Sequence, residues 1–100
     1  MSSIEDVYPH PAFATLPLRD HRTGNYKKVS VVPGITPACE AELAKIGCTL
    51  ATHLLSKFMI FNMDKNLYVL WFLEHVKVEN VIFYADESYN ALKEWFDMNM

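Results

Sequence analysis

Val32–Gly47, VPGITPACEAELAKIG, is the stretch whose reading decides the fold. Pro33 and Gly34 form a turn, with glycine supplying a positive φ at no steric cost. Thr36 suits the N-cap, and Pro37 suits the first helical position, where its missing N–H is no loss. Cys39, Leu43 and Ile46 fall on one face at helical spacing, and Gly47 is placed to stop the helix. A helix end behind a glycine turn offers free N–H groups and a positive dipole end, chemistry that suits a phosphate. The same residues also suit a capped helix with a purely structural role.

The totals bound what this stretch can belong to. One hundred residues make a single domain, and a 51% hydrophobic content excludes a disordered chain. Thirteen aromatics in so small a chain imply that some apolar area faces a partner. The net charge of −3 is unevenly spread. Residues 1–36 carry four Lys/Arg against three Asp/Glu, and residues 37–100 carry five against nine. A basic footprint must therefore lie near the hairpin. Cys39 and Cys48 are too few for a disulfide scaffold, which fits a reducing, intracellular setting. The apolar run Leu67–Leu73 is far too short to cross a membrane, so no membrane insertion is expected.

Working outward, residues 1–18 form an N-terminal segment broken by Pro9, Pro11 and Pro17, with at most a short turn around Pro11–Leu16. Phe13 and Leu16 can tuck against the core, and Ser2 and Ser3 are conceivable phosphorylation sites. Residues 19–28, RDHRTGNYKK, read as a basic loop turning at Gly24–Asn25. Tyr26, Lys27 and Lys28 suit nucleic acid, while the simpler reading is a solvated loop. Val29–Val32 is too short and β-branched to form a helix by itself, and makes a stunted first arm of the hairpin only where tertiary contacts hold it there.

Three further helices follow. Thr49–Phe61 has a wide apolar arc built from Leu54, Phe58 and Phe61 with Leu55, Met59 and Ala51, which predicts a second contact surface. Asp64 caps a helix over Lys65–Val76, with Leu67, Leu70, Trp71 and Glu74 at helical spacing and Phe72 and Leu73 broadening the apolar face. Asn80 is placed to cap a last helix from Val81 to about Met98, with Val81, Ala85, Ser88, Leu92 and Trp95 inward. Phe83 falls on its polar side, as a contact residue would. The fold class is all-α: a small helical bundle containing a helix-hairpin-helix motif at 29–47 within a helical unit at 29–100.

No catalytic constellation is present: no phosphate loop with its lysine, no serine elbow and no HExxH. Cys39, Cys48, His53 and His75 match no zinc spacing, so neither a metal nor another cofactor is expected, and the chain is not read as an enzyme.

Taken in order, these residues resemble the barrier-to-autointegration factor family of small metazoan chromatin proteins, over roughly residues 10–100. The likeness rests on PGI at 33–35 with Leu43 and Gly47, on FMIF at 58–61, and on Asp64, Leu67 and Trp71. It closes on LKEWFDMNM at 92–100, and His10, Phe13 and Pro17 match a family trio. The resemblance implies a homodimer that binds and bridges double-stranded DNA without sequence preference, in the nucleus with the cytoplasm as a second location. It also implies partner binding to LEM-domain proteins, lamins and histones, and leaves room for a heterodimer with a family paralogue. By position, the backbone contacts to DNA fall on Gly34, Ile35, Thr36 and Ala38, extending to Cys39, with Lys27 and Lys28 nearby. The dimer and partner surface maps to Leu54, Leu55, Phe58, Met59, Ile60, Phe61 and Asn62.

The chain also departs from the family pattern. Thr36 replaces a hairpin glycine, Ala41 and Glu42 replace paired lysines, Pro9 stands near a lysine position, and Asp86 aligns with an arginine. Each lost cation removes a phosphate contact, although an insertion before the hairpin adds Arg22, Lys27 and Lys28. The alternative expectation is therefore an interaction protein that keeps the dimer and its partners but has lost most DNA binding.

Overall fold

The computed structural model describes residues 11–100; Ser2, Ser3, Pro9 and His10 lie outside the described residues. The described chain is all-helical, with five α-helices and one 3-10 turn. α1 is Pro11–Ala14, the 3-10 turn is Val29–Val31, α2 is Pro37–Ala44, α3 is Ala51–Ile60, α4 is Lys65–His75 and α5 is Val81–Asn99.

α2 is set at both ends by local chemistry. Thr36 Oγ1 accepts the Cys39 amide at 3.2 Å, and Pro37 takes the first helical position. At the other end the Cys48 amide reaches the Leu43 carbonyl and the Gly47 amide the Ala44 carbonyl, with Gly47 at φ 79°. That pair of bonds is a Schellman stop. It also corrects one sequence expectation: Ile46 is exposed rather than inward with Cys39 and Leu43, because helical spacing no longer applies after Ala44.

The polar stretch 19–28 is more ordered than a solvated loop. Antiparallel bridges pair Arg19 with Tyr26 and Lys28 with Leu50. The Lys27 amide donates to the Leu18 carbonyl at 2.8 Å, and its carbonyl accepts the Ala51 amide at 3.0 Å. Arg19 folds back over the Tyr26 ring and donates to the Gly24 carbonyl, bracing the turn from inside. This pairing draws Thr49 and Leu50 out of the third helix, which starts at Ala51 and not Thr49.

The core is built on α3, α4 and α5, with Leu54, Phe58, Tyr68, Phe72, Val76 and Leu92 fully buried. α4 presents Tyr68 and Phe72 inward and turns Leu67 and Leu70 to solvent, so of the expected apolar face Phe72 and Trp71 meet the core and the two leucines do not. α4 is apolar nearly all round, so periodicity alone does not select its face. A polar bond does: the Tyr68 hydroxyl meets Ser88 Oγ at 2.9 Å, and Ser88 donates in turn to the Ala85 carbonyl. Burial pushes the Tyr68 phenol well above its ordinary range, so the pair stays neutral.

The turn from α3 into α4 holds Asn62 and Met63 at positive φ, which costs roughly 1–2 kcal/mol for each side chain present. Tyr89 offsets part of this by donating its hydroxyl to the Met63 carbonyl at 2.6 Å, while Asp64 Oδ1 caps α4 through the Leu67 amide. Asn80, expected to cap α5, sits in the left-handed region and makes no side-chain cap bond. α5 closes the molecule by clasping its first helix: Trp95 Nε1 donates to the Leu16 carbonyl and Asn99 Nδ2 to the Ala14 carbonyl.

Candidate nucleic-acid interface and partner face

Val32–Ile35 is a type II turn: Pro33 precedes Gly34 at φ 93°, and the Ile35 amide donates to the Val32 carbonyl at 3.1 Å. Gly34 lies directly under the backbone of α5. A Cβ there would sit 2.9 Å from the Tyr84 carbonyl oxygen and 3.0 Å from the Ser88 amide nitrogen. Glycine is therefore demanded twice, by conformation and by space.

The expected hairpin contacts are not equivalent. The Ile35 amide is spent inside the turn and the Cys39 amide inside the cap, and both of these side chains are buried. Ala38, exposed in the first turn of α2, has an amide with no acceptor within its own helix. Lys28 lines a groove of about 500 Å³ that runs along the flank of α2 past Pro37, Ala41 and Ala44. Lys27 is half-buried, with both its backbone groups engaged in the bridges.

One acidic group shares this groove, Glu40. Glu42 pairs with Lys45 at 2.7 Å and accepts the Lys77 amide at 3.3 Å, so its carboxyl is lowered first by the Lys45 ammonium. Asp86 is paired with Lys65. Asp20 is lowered chiefly by the Arg22 backbone amide, which ties the carboxylate into the turn beneath Arg22.

The expected dimer and partner set divides in two. Leu54, Leu55 and Phe58 are core residues of this chain, buried against its own helices. Met59 and Asn62 are exposed, Ile60 is 65% exposed, and Phe61 is half-buried against Trp71. The wide apolar arc of α3 thus serves the core over most of its length and reaches solvent only at its end. On α4, Leu67 and Leu70 add exposed apolar surface, Leu70 at 62%. Ile82 and Phe83 do so at the head of α5. Phe83 stood out in the sequence; Ile82 did not, because it sits beside the inward stripe.

Cys39 and Cys48 are both free and buried. Among the described residues no group of three or more His, Cys, Asp or Glu could hold a metal ion, and no helix is long and apolar enough to cross a membrane.

A family model described as barrier to autointegration factor matches residues 11–99. Among curated proteins and among solved structures, nothing matches the chain.

Proposed function

The chain belongs to the barrier to autointegration factor family, and on that premise we propose that it binds and bridges duplex DNA without sequence preference, as a nuclear homodimer whose role is binding and not catalysis. The observation that carries the DNA part is the open N-terminus of α2, where the Ala38 amide has no acceptor within its own helix. Lys28 and Pro37 border a groove along the flank of the same helix. A phosphate at the helix end would take its contacts from backbone groups of Gly34, Thr36 and Ala38, with Lys28 as the cation on the flank. Lys27, Ile35 and Cys39 act through the frame: one anchors the bridges, the others hold the turn and the cap.

Dimerisation is assigned to the exposed end of α3 and the outer face of α4, where Met59, Ile60, Leu67 and Leu70 leave apolar side chains uncovered. Phe61 and Asn62 border that face, and LEM-domain proteins or lamins are the partners that the family resemblance suggests for it. A paralogue of the family is an alternative second subunit.

A second reading keeps the dimer and drops the DNA. It is favoured by Glu40 in the same groove as Lys28 and by the pairing of Asp86 with Lys65. A salt-titrated anisotropy measurement on a short duplex decides between them. DNA binding predicts affinity that falls steeply with salt, and a weaker, shallower dependence for Lys28→Glu. No binding at low salt by a protein that still sediments as a dimer establishes the second reading instead.

A further inference from the structure

α3 begins without an ordinary cap. Leu50 occupies the N-cap position and has no polar side-chain atom, so it accepts nothing from the first turn. The opposite half of the arrangement is present. His53, at the third helical position, turns back and accepts two amides on Nδ1, from Thr49 at 3.1 Å and from Leu50 at 3.2 Å. Glutamate or glutamine normally fills this reciprocal role. A histidine does so with one difference: its accepting lone pair is also where the second ring proton binds.

We infer that His53 is a proton-sensitive latch on the N-terminus of α3, closed while the ring is neutral and opened when it takes up a proton. While Nδ1 accepts the two amides, the ring proton is on Nε2. Protonation at Nδ1 places a donor against two donors and adds a positive charge at the positive end of the helix. Both effects act in one direction. Acidification therefore favours opening of this helix end.

The surroundings add little that would hold an imidazolium in place. His53 lines a pocket of about 260 Å³ whose charged or titratable members are Lys57, one turn further along α3, and Cys48 from the preceding turn. Lys57 is a like charge. Burial pushes the Cys48 thiol up to about 11, so it stays protonated throughout the range in which imidazole titrates. On the far side of Thr49 and Leu50, the groove beneath α2 brings Lys28 and Glu40, one cation and one carboxylate. Ser56 and Ile60 line the same pocket as His53, so the latch sits on the helix whose far end carries exposed apolar surface.

Amide exchange read by NMR on the full chain tests this directly. Between about pH 7.5 and 5.5, corrected for intrinsic exchange, opening at Thr49 and Leu50 rises roughly fivefold, the factor that an ordinary cap is worth. His53→Gln keeps the acceptor without titrating and stays closed across the range. His53→Ala is open at both ends of it. Any pH response arising elsewhere in the chain is shared by the glutamine variant and subtracts. Parallel pH courses for wild type and His53→Gln, or full protection in His53→Ala, overturn the latch. The wild-type ring alone gives an independent check: nitrogen shifts must show the tautomer protonated at Nε2 near neutral pH, and the opposite tautomer also overturns it.

Discussion

Gly34 and Gly47 both adopt a positive φ, yet a side chain costs each of them differently. A Cβ on Gly47 meets nothing within 4 Å, so Gly47→Ala carries only the left-handed strain, about 1 kcal/mol. On Gly34 the same atom meets α5 backbone at 2.9 Å and 3.0 Å, with no flexible end to yield. Gly34→Ala should therefore cost about 3 kcal/mol or more in urea unfolding, strain and clash together. The buried hydroxyl pair is similarly unequal. Tyr68→Phe leaves Ser88 bonded to the Ala85 carbonyl and costs about 1 kcal/mol, whereas Ser88→Ala strands a buried phenol and costs about 2. Cys48 supplies a pH dependence. Its folded value near 11 lies above the ordinary thiol value, so its contribution is full below that ordinary value and is lost as pH rises towards about 11. Denaturant midpoints between mildly and strongly alkaline buffer should decline, and Cys48→Ala should flatten that part of the decline. The caps at Thr36 and Asp64 were legible in the sequence because cap chemistry is local. The inward choice of Tyr68 over Leu67 was not, since it depends on Ser88, twenty residues away.

At the level of elements, the hairpin and α2 carry the balance between stability and charge. Glu42 faces both Lys45 and the Lys77 amide, so exchanging it for lysine would disturb the approach to α5 as well as the charge. Ala41 is exposed in the groove with Lys28 and holds nothing in place. Ala41→Lys should therefore raise DNA affinity, and steepen its logarithmic salt dependence by about 0.9, at little cost in stability. Equal salt slopes for variant and wild type would mean that phosphate does not approach this groove. The helix-hairpin-helix pattern was readable because turn, cap and stop each need a particular residue. That the Ile35 amide is consumed was not readable, because its bond depends on how the turn closes. The arc of α3 misled for a related reason: Leu54, Leu55 and Phe58 look like surplus apolar surface until the rest of the chain buries them, Phe58 against Tyr89 and Phe96 of α5.

For the whole molecule, oligomeric state is the accessible test of the partner face. Leu70→Glu alters a side chain that is 62% exposed and outside the core, so it should leave the monomer folded while shifting sedimentation towards monomer. Unchanged mass for the variant and a dimeric wild type would move the interface elsewhere, with Ile60→Glu the next position to try. The all-α architecture was legible throughout; the clasp between α5 and the first helix was not, because nothing local links Trp95 and Asn99 to Leu16 and Ala14. Those two bonds join residues 79 and 85 positions apart. Contacts of such separation require most of the chain to be in place before they reward closure, so the clasp belongs late in folding. Trp95→Phe, which removes the indole donor, should then accelerate unfolding while leaving the refolding rate nearly unchanged in stopped-flow measurements. On that outcome the protein's lifetime in the native state is governed at its last-formed seam and not at the hairpin.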